Sequence, residues 1–435
     1  MIKNDLNGLF KFIENSPTCF QVAENIKNEL INSGFTELQE NKSWDIEKDK
    51  GYFVIRNNSS IIAFKLPKGD YTGFNICATH GDSPSFKLKK NPEVAVENSY
   101  IKLNTEKYGG MNMASWLDRP LSIAGRVLVR DSDRIISHTV NIDRDLLMIP
   151  SLAIHMNRDL NNGYKYNEQK DMLPLVSNYL ENLKVEDIIK EELNIEGEEI
   201  IDSELFLYVR ERGIVWGRDN EFISAPRLDN LQCTYAALKG FIQNERFDNI
   251  KVLAVFDNEE VGSQTKQGAG STFLHDVLKR IVISEGKNEE DYLKELAGSF
   301  MLSVDGAHAL HPNYAEKSDL TNKTVLNKGL VIKVNSSQKY TSDAISAGLF
   351  KCICEKGKIP YQMYYNRSDI PGGSTLGNIS ATNVSVKTAD IGTAQLGMHS
   401  AYETAGAYDT KYMIDAIRNF YETTVREVTT GEYKF

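Results

Sequence analysis

The sequence predicts a layered α/β protein with a β-rich domain inserted into it, and three observations carry that reading. After Pro226, helical and strand-like segments alternate along the chain. Several short apolar runs end abruptly in acidic or imidazole side chains, as buried strands do where they leave a sheet. Between about residue 90 and residue 222 the texture changes to short strand-like pieces with turn residues between them. Residues 1–89 and 223–435 are therefore expected to form one α/β domain, and 90–222 the insertion.

Residues 5–35 form an amphipathic helical region. Ser16-Pro17 reads as an N-cap and first-turn pair ahead of FQVAENIKNELINS, with a stop at Gly34. YFVIR and SIIAFKL follow as strands, punctuated by Asn57-Asn58 and Pro67-Lys68-Gly69. FNICATHGDSP, 74–84, is an apolar run ending in a histidine and an aspartate. In the insertion, VAVENSYIKLN, GRVLVR, RIISHTVNI and LLMIPSLAIHM read as strands, and the acidic VSNYLENLKVEDIIKEELN as a helix. The charge run from Glu181 to Glu204 is read as a solvated helix face and loop. Downstream, DNLQCTYAALKGFIQN is a helix, KVLAVF a strand, GSTFLHDVLKRIVI a helix, FMLSVD a strand, DAISAGLFKCICEKG a helix and IPYQMYY a strand.

Composition narrows the functional classes. The chain has 435 residues, too many for one small core, and 41% hydrophobic with 25% charged residues is ordinary for a water-soluble globular protein. A formal charge of −10 disfavours nucleic acid as a partner, because phosphate binding needs clustered Lys and Arg. No apolar run approaches the roughly eighteen residues of a membrane span. MIKNDLNGLFKFIENSP lacks the pattern of a signal peptide, so the cytoplasm is the expected location. The five cysteines, Cys19, Cys77, Cys233, Cys352 and Cys354, contain no C-x-x-C pair, which supports neither a zinc ribbon nor a thioredoxin-like site.

The segment AVFDNEEVGSQTKQGAGS, 254–271, carries the strongest chemical signal. Glu259 and Glu260 sit where a buried strand ends, and clustered carboxylates there need a compensating cation. Adjacent side chains at a strand end diverge, so one can ligate metal while the other stays free as a base. Taken alone, Asp-Asn-Glu-Glu reads as an exposed acidic turn, and it is the rest of the chain that overturns that reading. Other strand-like runs deliver His80 and Asp82, Asp305 and His399, and Asp229 stands in APRLDN. Together they form an inventory for two zinc-like ions: two imidazoles, one carboxylate able to bridge, and further carboxylates. An aspartate two residues after His80 can accept its second ring N–H and fix the ring. Individually, Asp305 could be a turn acid and His399 a satisfied core histidine, and spacing alone does not choose. HExxH is absent, and neither a dinucleotide nor a phosphate loop is present. GSQTKQGAGS is expected to pack backbone tightly under the site and start a helix.

The strings THGDSPSFKLK, WLDRPLSIAGRV, IPSLAIHMNR, APRLDNLQ, DNEEVGSQTKQGAGS, DGAHALHPNYAEK, KGLVIKVNSSQKY and QLGMHSAYE resemble the M18 family of metalloaminopeptidases, the aspartyl aminopeptidase group. The likeness runs nearly end to end and in the family's order. It implies a zinc-peptidase-like catalytic domain holding two divalent ions (zinc, with manganese or cobalt as alternatives) and an inserted dimerisation domain. It also implies assembly from dimers into a twelve-subunit shell. Carried over by residue, His80 and Asp305 would complete one metal site, and Glu260 and His399 the other. Asp229 would bridge them, Glu259 would be the general base, and Asp82 would orient His80. Peptides with a free N-terminus would be the substrates. Lys333 and His308 fall where members selective for acidic N-terminal residues carry pocket residues, although a lysine in an apolar run also snorkels to solvent. LLMIPSLAIHMNR would lie at a subunit contact and present His155 to a neighbouring site; the alternative is an interior strand with a satisfied histidine. Other functions compatible with the residues are an aminopeptidase of neutral preference, a related deacylase or carboxypeptidase, and a non-catalytic metal-binding shell.

Overall fold

The computed structural model describes residues 2–178, 183–195 and 197–435. Its centre is a nine-stranded sheet. From one edge to the other the strands are Thr36–Leu38, Gly51–Arg56, Ser60–Lys65, Ile250–Phe256, Phe74–His80, Phe300–Val304, Lys387–Gly392, Leu330–Lys333 and Tyr361–Tyr364. The four strands beginning at Ile250, Phe74, Phe300 and Lys387 run parallel to one another. Every residue of Ile250–Phe256, Phe74–His80 and Phe300–Val304 is buried, as expected for strands covered on both faces.

Side-chain alternation divides those strands between two cores. Cys77, Leu253, Val255, Leu302 and Ile391 face one side, where Leu231, Leu238, Phe350, Ile353, Met413 and Ile417 from three helices meet them. Ile76, Ala78, Val252, Ala254 and Met301 face the other side, against Phe273, Val277, Leu278 and Ile281 of the helix Phe273–Ser284. The domain is thus helix, sheet, helix in three layers, the layered α/β architecture expected.

A six-stranded sheet lies apart from this one in the order Arg134–Asn141, Leu121–Asp131, Glu199–Val209, Ser85–Val96, Tyr100–Tyr108 and Leu175–Asn178. It has its own core around Phe86, Leu103, Trp116, Ile123, Val127 and Leu207. Its strands lie between Ser85 and Val209. Ile214–Trp216 pairs instead with Phe222–Ala225, in a third sheet that also contains Glu403–Gly406, Ala394–Leu396 and Ala307–His308.

Three local expectations are corrected. LLMIPSLAIHM is not a strand. Leu147 and Met148 make only isolated bridges, to Leu121 and Leu175. Pro150 then withholds a ladder N–H, and Leu152, Ile154 and Met156 are exposed. The acidic segment expected to be helical from Val176 begins as the strand Leu175–Asn178, and its helix is confined to Val185–Leu193; residues 179–182 between them lie outside the described residues. The second N-terminal helix starts at Cys19 with Thr18 as its N-cap, so Ser16 and Pro17 belong to the preceding turn.

Candidate metal centre

The parallel strands place their chemistry at one edge of the sheet. His80 is the last residue of its strand, and Phe256, its register partner, ends the next. Beyond Phe256 the chain turns sharply, with Asn258 and Gly262 both in the left-handed region (φ 62° and 98°), and Glu259 and Glu260 form a single 3-10 turn. The turn is tight because Gly268 lies against the Ser263 carbonyl, where a Cβ would come within 2.3 Å. The glycine-rich stretch thus packs backbone closely and then enters the helix Phe273–Ser284, as read from its composition. Asp305 follows the strand Phe300–Val304. Asp229 stands at the start of Leu228–Ile242, where it and Asn230 keep non-helical dihedrals, and His399 sits at φ 65° ahead of Glu403–Gly406.

These side chains converge. His399 Nε2 lies 3.2 Å from Asp229 Oδ2 and 3.3 Å from Glu260 Oε2. His80 Nε2 lies 3.4 Å from Asp305 Oδ1. Ligand atoms of His80, Asp229 and Asp305 fall within 4.8 Å of one another, as do those of Asp229, Glu260 and His399. Asp229 is common to both triads. Glu259 joins His80 and Glu260 in a third grouping but belongs to neither triad that shares Asp229.

Buried Asp82 braces this edge. Its two carboxylate oxygens accept the backbone N–H groups of Glu259 and Glu260, each at 3.1 Å, and the Tyr108 hydroxyl donates to it at 2.7 Å. His80 Nδ1 lies 3.2 Å from the Asp82 carbonyl oxygen and 3.4 Å from its Oδ1. Burial pushes the Asp82 carboxyl up, but His80, Tyr108 and the Glu260 N–H together hold it below the usual range.

Electrostatics show what the cluster lacks. Burial, reinforced by Asp229, pushes the Glu260 carboxyl well above its ordinary value. Glu259 is raised to about 8, by burial first and then by Asp305, Asp82 and Asp229 against the opposing pull of His80. Burial would lower His80, but Asp305 and Asp82 raise it well above the usual imidazole value. So many carboxylates this close cannot all stay ionised without added positive charge. Two of their buried oxygens, Asp229 Oδ1 and Glu260 Oε1, have no hydrogen-bond partner among the described residues. Unpaired carboxylate oxygens beside imidazole nitrogens fit a divalent cation.

The substrate-side residues are placed differently. Lys333 is 1% exposed, and its ammonium donates to the carbonyls of Asp305 and Gly306 at 3.0 and 3.1 Å, 3.6 Å from the Asp305 carboxylate. Burial works against its charge, but Asp305 and Asp390 keep it protonated. Burial also pushes Asp305 up, yet Lys333 and His80 hold it far below the carboxylate range. His308 is exposed and packs edge-on against Tyr364, with ring centroids 6.3 Å apart. His155 is exposed on the loop after Pro150, among exposed Leu152, Ile154 and Met156, and belongs to none of the three ligand groupings.

Sequence reasoning missed Glu403, a fully enclosed carboxylate that accepts backbone N–H groups from Asp229 and His399. Burial, then Asp229, raises it to about 8. Its one sequence signal is its place four residues after His399.

A layered α/β sheet with two carboxylate–imidazole triads sharing one aspartate at its carboxyl edge defines a metal-dependent hydrolase. The family model for aminopeptidase I zinc metalloproteases (M18) matches residues 12–421. A probable M18 family aminopeptidase 2 of Clostridium acetobutylicum is 47% identical over 431 residues, covering 97% of this chain and all of that protein. The structure of an Ape4 and Nbr1 complex superposes with a TM-score of 0.92 at 36% identity, covering 97% of this chain and 86% of that one. A chain from the structure of the S. cerevisiae mApe1 dodecamer superposes with a TM-score of 0.83 at 25% identity, covering 96% of each chain. The chain belongs to the M18 family of zinc metalloaminopeptidases. Among the described residues no helix is long and apolar enough to cross a membrane.

Proposed function

We propose that this chain is a dinuclear aminopeptidase that removes the N-terminal residue of peptides, with a preference for aspartate and glutamate. The observation that carries the proposal is the pair of ligand triads meeting at Asp229, with its Oδ1 and the Oε1 of Glu260 unpaired. In this reading His80, Asp229 and Asp305 hold one ion, and Asp229, Glu260 and His399 the other. Zinc is the expected metal, with manganese or cobalt as alternatives. Two such ions supply Lewis acidity toward the scissile carbonyl and make water a better nucleophile at neutral pH.

The chain's own groups do the rest. Glu259 accepts a proton from the attacking water at its carboxylate and returns it to the departing amine. Asp82 keeps His80 and the Glu259–Glu260 turn in place. Lys333 and His308 are the candidates to meet an acidic side chain, since a buried substrate carboxylate needs a fixed donor or positive charge.

Self-association belongs to the same proposal. The yeast relative is a dodecamer, and here Leu152, Ile154 and Met156 present an exposed apolar patch beside His155. A second copy seated there would bring His155 toward a neighbouring centre. The five cysteines are unpaired, consistent with a reducing cytoplasm.

The test is a panel of aminoacyl and N-acyl substrates assayed with zinc-, manganese- and cobalt-loaded protein, alongside metal counting. Two ions per chain and release of free N-terminal residues are expected, whereas N-acyl hydrolysis alone would make the chain a deacylase. Asp229→Ala should lose both ions and His399→Ala chiefly one; two tightly held ions in the Asp229 variant would remove it as the bridge.

A further inference from the structure

The six-stranded sheet meets the metal centre at the hydroxyl of Tyr108. Tyr108 is the last residue of the strand Tyr100–Tyr108, and its ring is held edge-on against Phe206 of the same sheet, centroids 5.4 Å apart. Its hydroxyl donates to Asp82 Oδ2 at 2.7 Å and accepts from Asn258 Nδ2 at 3.0 Å. The Asn258 amide is held in that orientation, because its Oδ1 accepts from Thr265 Oγ1 at 2.8 Å and Gln267 Nε2 at 2.7 Å. With its acceptor side taken up by Asn258, the Tyr108 proton has one direction left, toward Asp82. Burial and the neighbouring Asp82 charge both raise the phenol, so it keeps that proton.

The residues after Tyr108 touch the same centre. Gly109, at φ 76°, lies so close that a Cβ would come within 3.1 Å of Glu260 Cβ. The Asn112 N–H donates to the His399 carbonyl at 3.0 Å. The end of this strand and the segment that follows it thus bear on Asp82, Glu260 and His399 together.

We propose that Tyr108 is a positioning residue: its hydroxyl fixes Asp82, and through Asp82 the His80 ring and the backbone of Glu259 and Glu260, so that the second sheet sets the geometry of the metal centre. The proposal rests on the dinuclear reading above. Hydrogen-bonding partners of this kind, one step removed from the metal, are worth about 10- to 100-fold in metal affinity or activity.

Two variants of the full chain test it. Tyr108→Phe keeps the ring against Phe206 and removes only the hydroxyl. Phe206→Leu loosens the ring and leaves the hydroxyl. Divalent-metal affinity is read by competition with a chromogenic chelator, without substrate, and the Tm of chelator-stripped protein reports the fold. Tyr108→Phe should bind zinc about 10- to 100-fold more weakly. Its stripped Tm should move by less than about 2 °C. On a released residue, kcat should fall with KM little changed. Phe206→Leu should show the reverse, a lower Tm with metal affinity nearly intact. Unchanged metal affinity in Tyr108→Phe, or equal weakening in both variants, would overturn the proposal. If Tyr108→Phe weakens metal binding while the wild type cleaves no peptide, the positioning role stands and the aminopeptidase reading falls.

Discussion

Glu403 holds Asp229 by the main chain: its Oε2 accepts the Asp229 N–H at 2.8 Å, while its Oε1 accepts the His399 N–H at 2.6 Å. One buried carboxylate therefore sets the spacing between two residues of the same ligand triad. Asp82 has the same relation to Glu259 and Glu260 on the other side of the centre. Such a brace needs an acceptor at both ends.

Glu403→Gln retains shape but has one acceptor oxygen and one NH2 group, so a buried N–H must face a donor. The expected result is metal affinity reduced by about 10-fold or more, with a matching fall in kcat. A chelator competition assay beside steady-state kinetics checks it; wild-type metal affinity would confine Glu403 to folding.

Glu259→Gln makes the opposite separation. The amide cannot take a proton, and Glu259 lies outside the two triads that share Asp229. Turnover should drop by about two to four orders of magnitude while the bound metal persists. Elemental analysis of the purified variant against its kcat decides the matter, and near-normal turnover would dismiss Glu259 as the base.

The α/β portion was legible because its central strands are continuous apolar runs bounded by polar turns, and burial on both faces leaves that mark. KVLAVF, FNICAT and FMLSV carry that mark and form adjacent parallel strands. The same logic misled at LLMIPSLAIHM, where an apolar run lies on the surface; a strand and an exposed apolar loop look alike without knowledge of what covers them. Acids and histidines at strand tips were visible individually. Glu403 and Tyr108 were not, because they act by meeting main-chain N–H groups or another residue's carboxylate. Such a contact depends on three-dimensional approach and leaves no spacing rule. Asp229 is a similar case. Its position depends on two non-helical residues inside an otherwise helical segment.

Away from the centre, Asp409 predicts a pH effect on stability. It is fully buried at the start of the last long helix, and burial raises its carboxyl to about 7 despite N–H groups donated by Asn327 and Gly329. Between the unfolded value of 3.8 and about 7 the folded state holds this proton more tightly than the unfolded state does. Its stabilising contribution is therefore complete below the unfolded value and is lost as pH rises through the folded one. Asp409→Asn has no such titration. The stability of wild type relative to Asp409→Asn should fall from pH 5 to pH 8, with a limiting slope of about 1.4 kcal/mol per pH unit. Urea midpoints of both proteins at the two pH values measure this, and a constant difference would show that Asp409 is ionised throughout.

The last prediction concerns the acidic preference. Lys333 spends two of its three donors on the carbonyls of Asp305 and Gly306, so one remains for a substrate carboxylate. It also places a positive charge 3.6 Å from the Asp305 carboxylate. Removing it should therefore harm every substrate through Asp305 and acidic substrates a second time through the pocket. Wild type is expected to release aspartate and glutamate faster than leucine. In Lys333→Met, kcat/KM should fall for both classes, with an additional loss of about 10-fold for the aspartyl substrate, the scale of one charge-assisted hydrogen bond. The ratio of the two specificity constants is the measurement. A ratio unchanged from wild type would leave Lys333 as a support beneath Asp305 alone, and a wild type faster on leucyl than on aspartyl substrates would end the acidic preference while leaving the aminopeptidase reading in place.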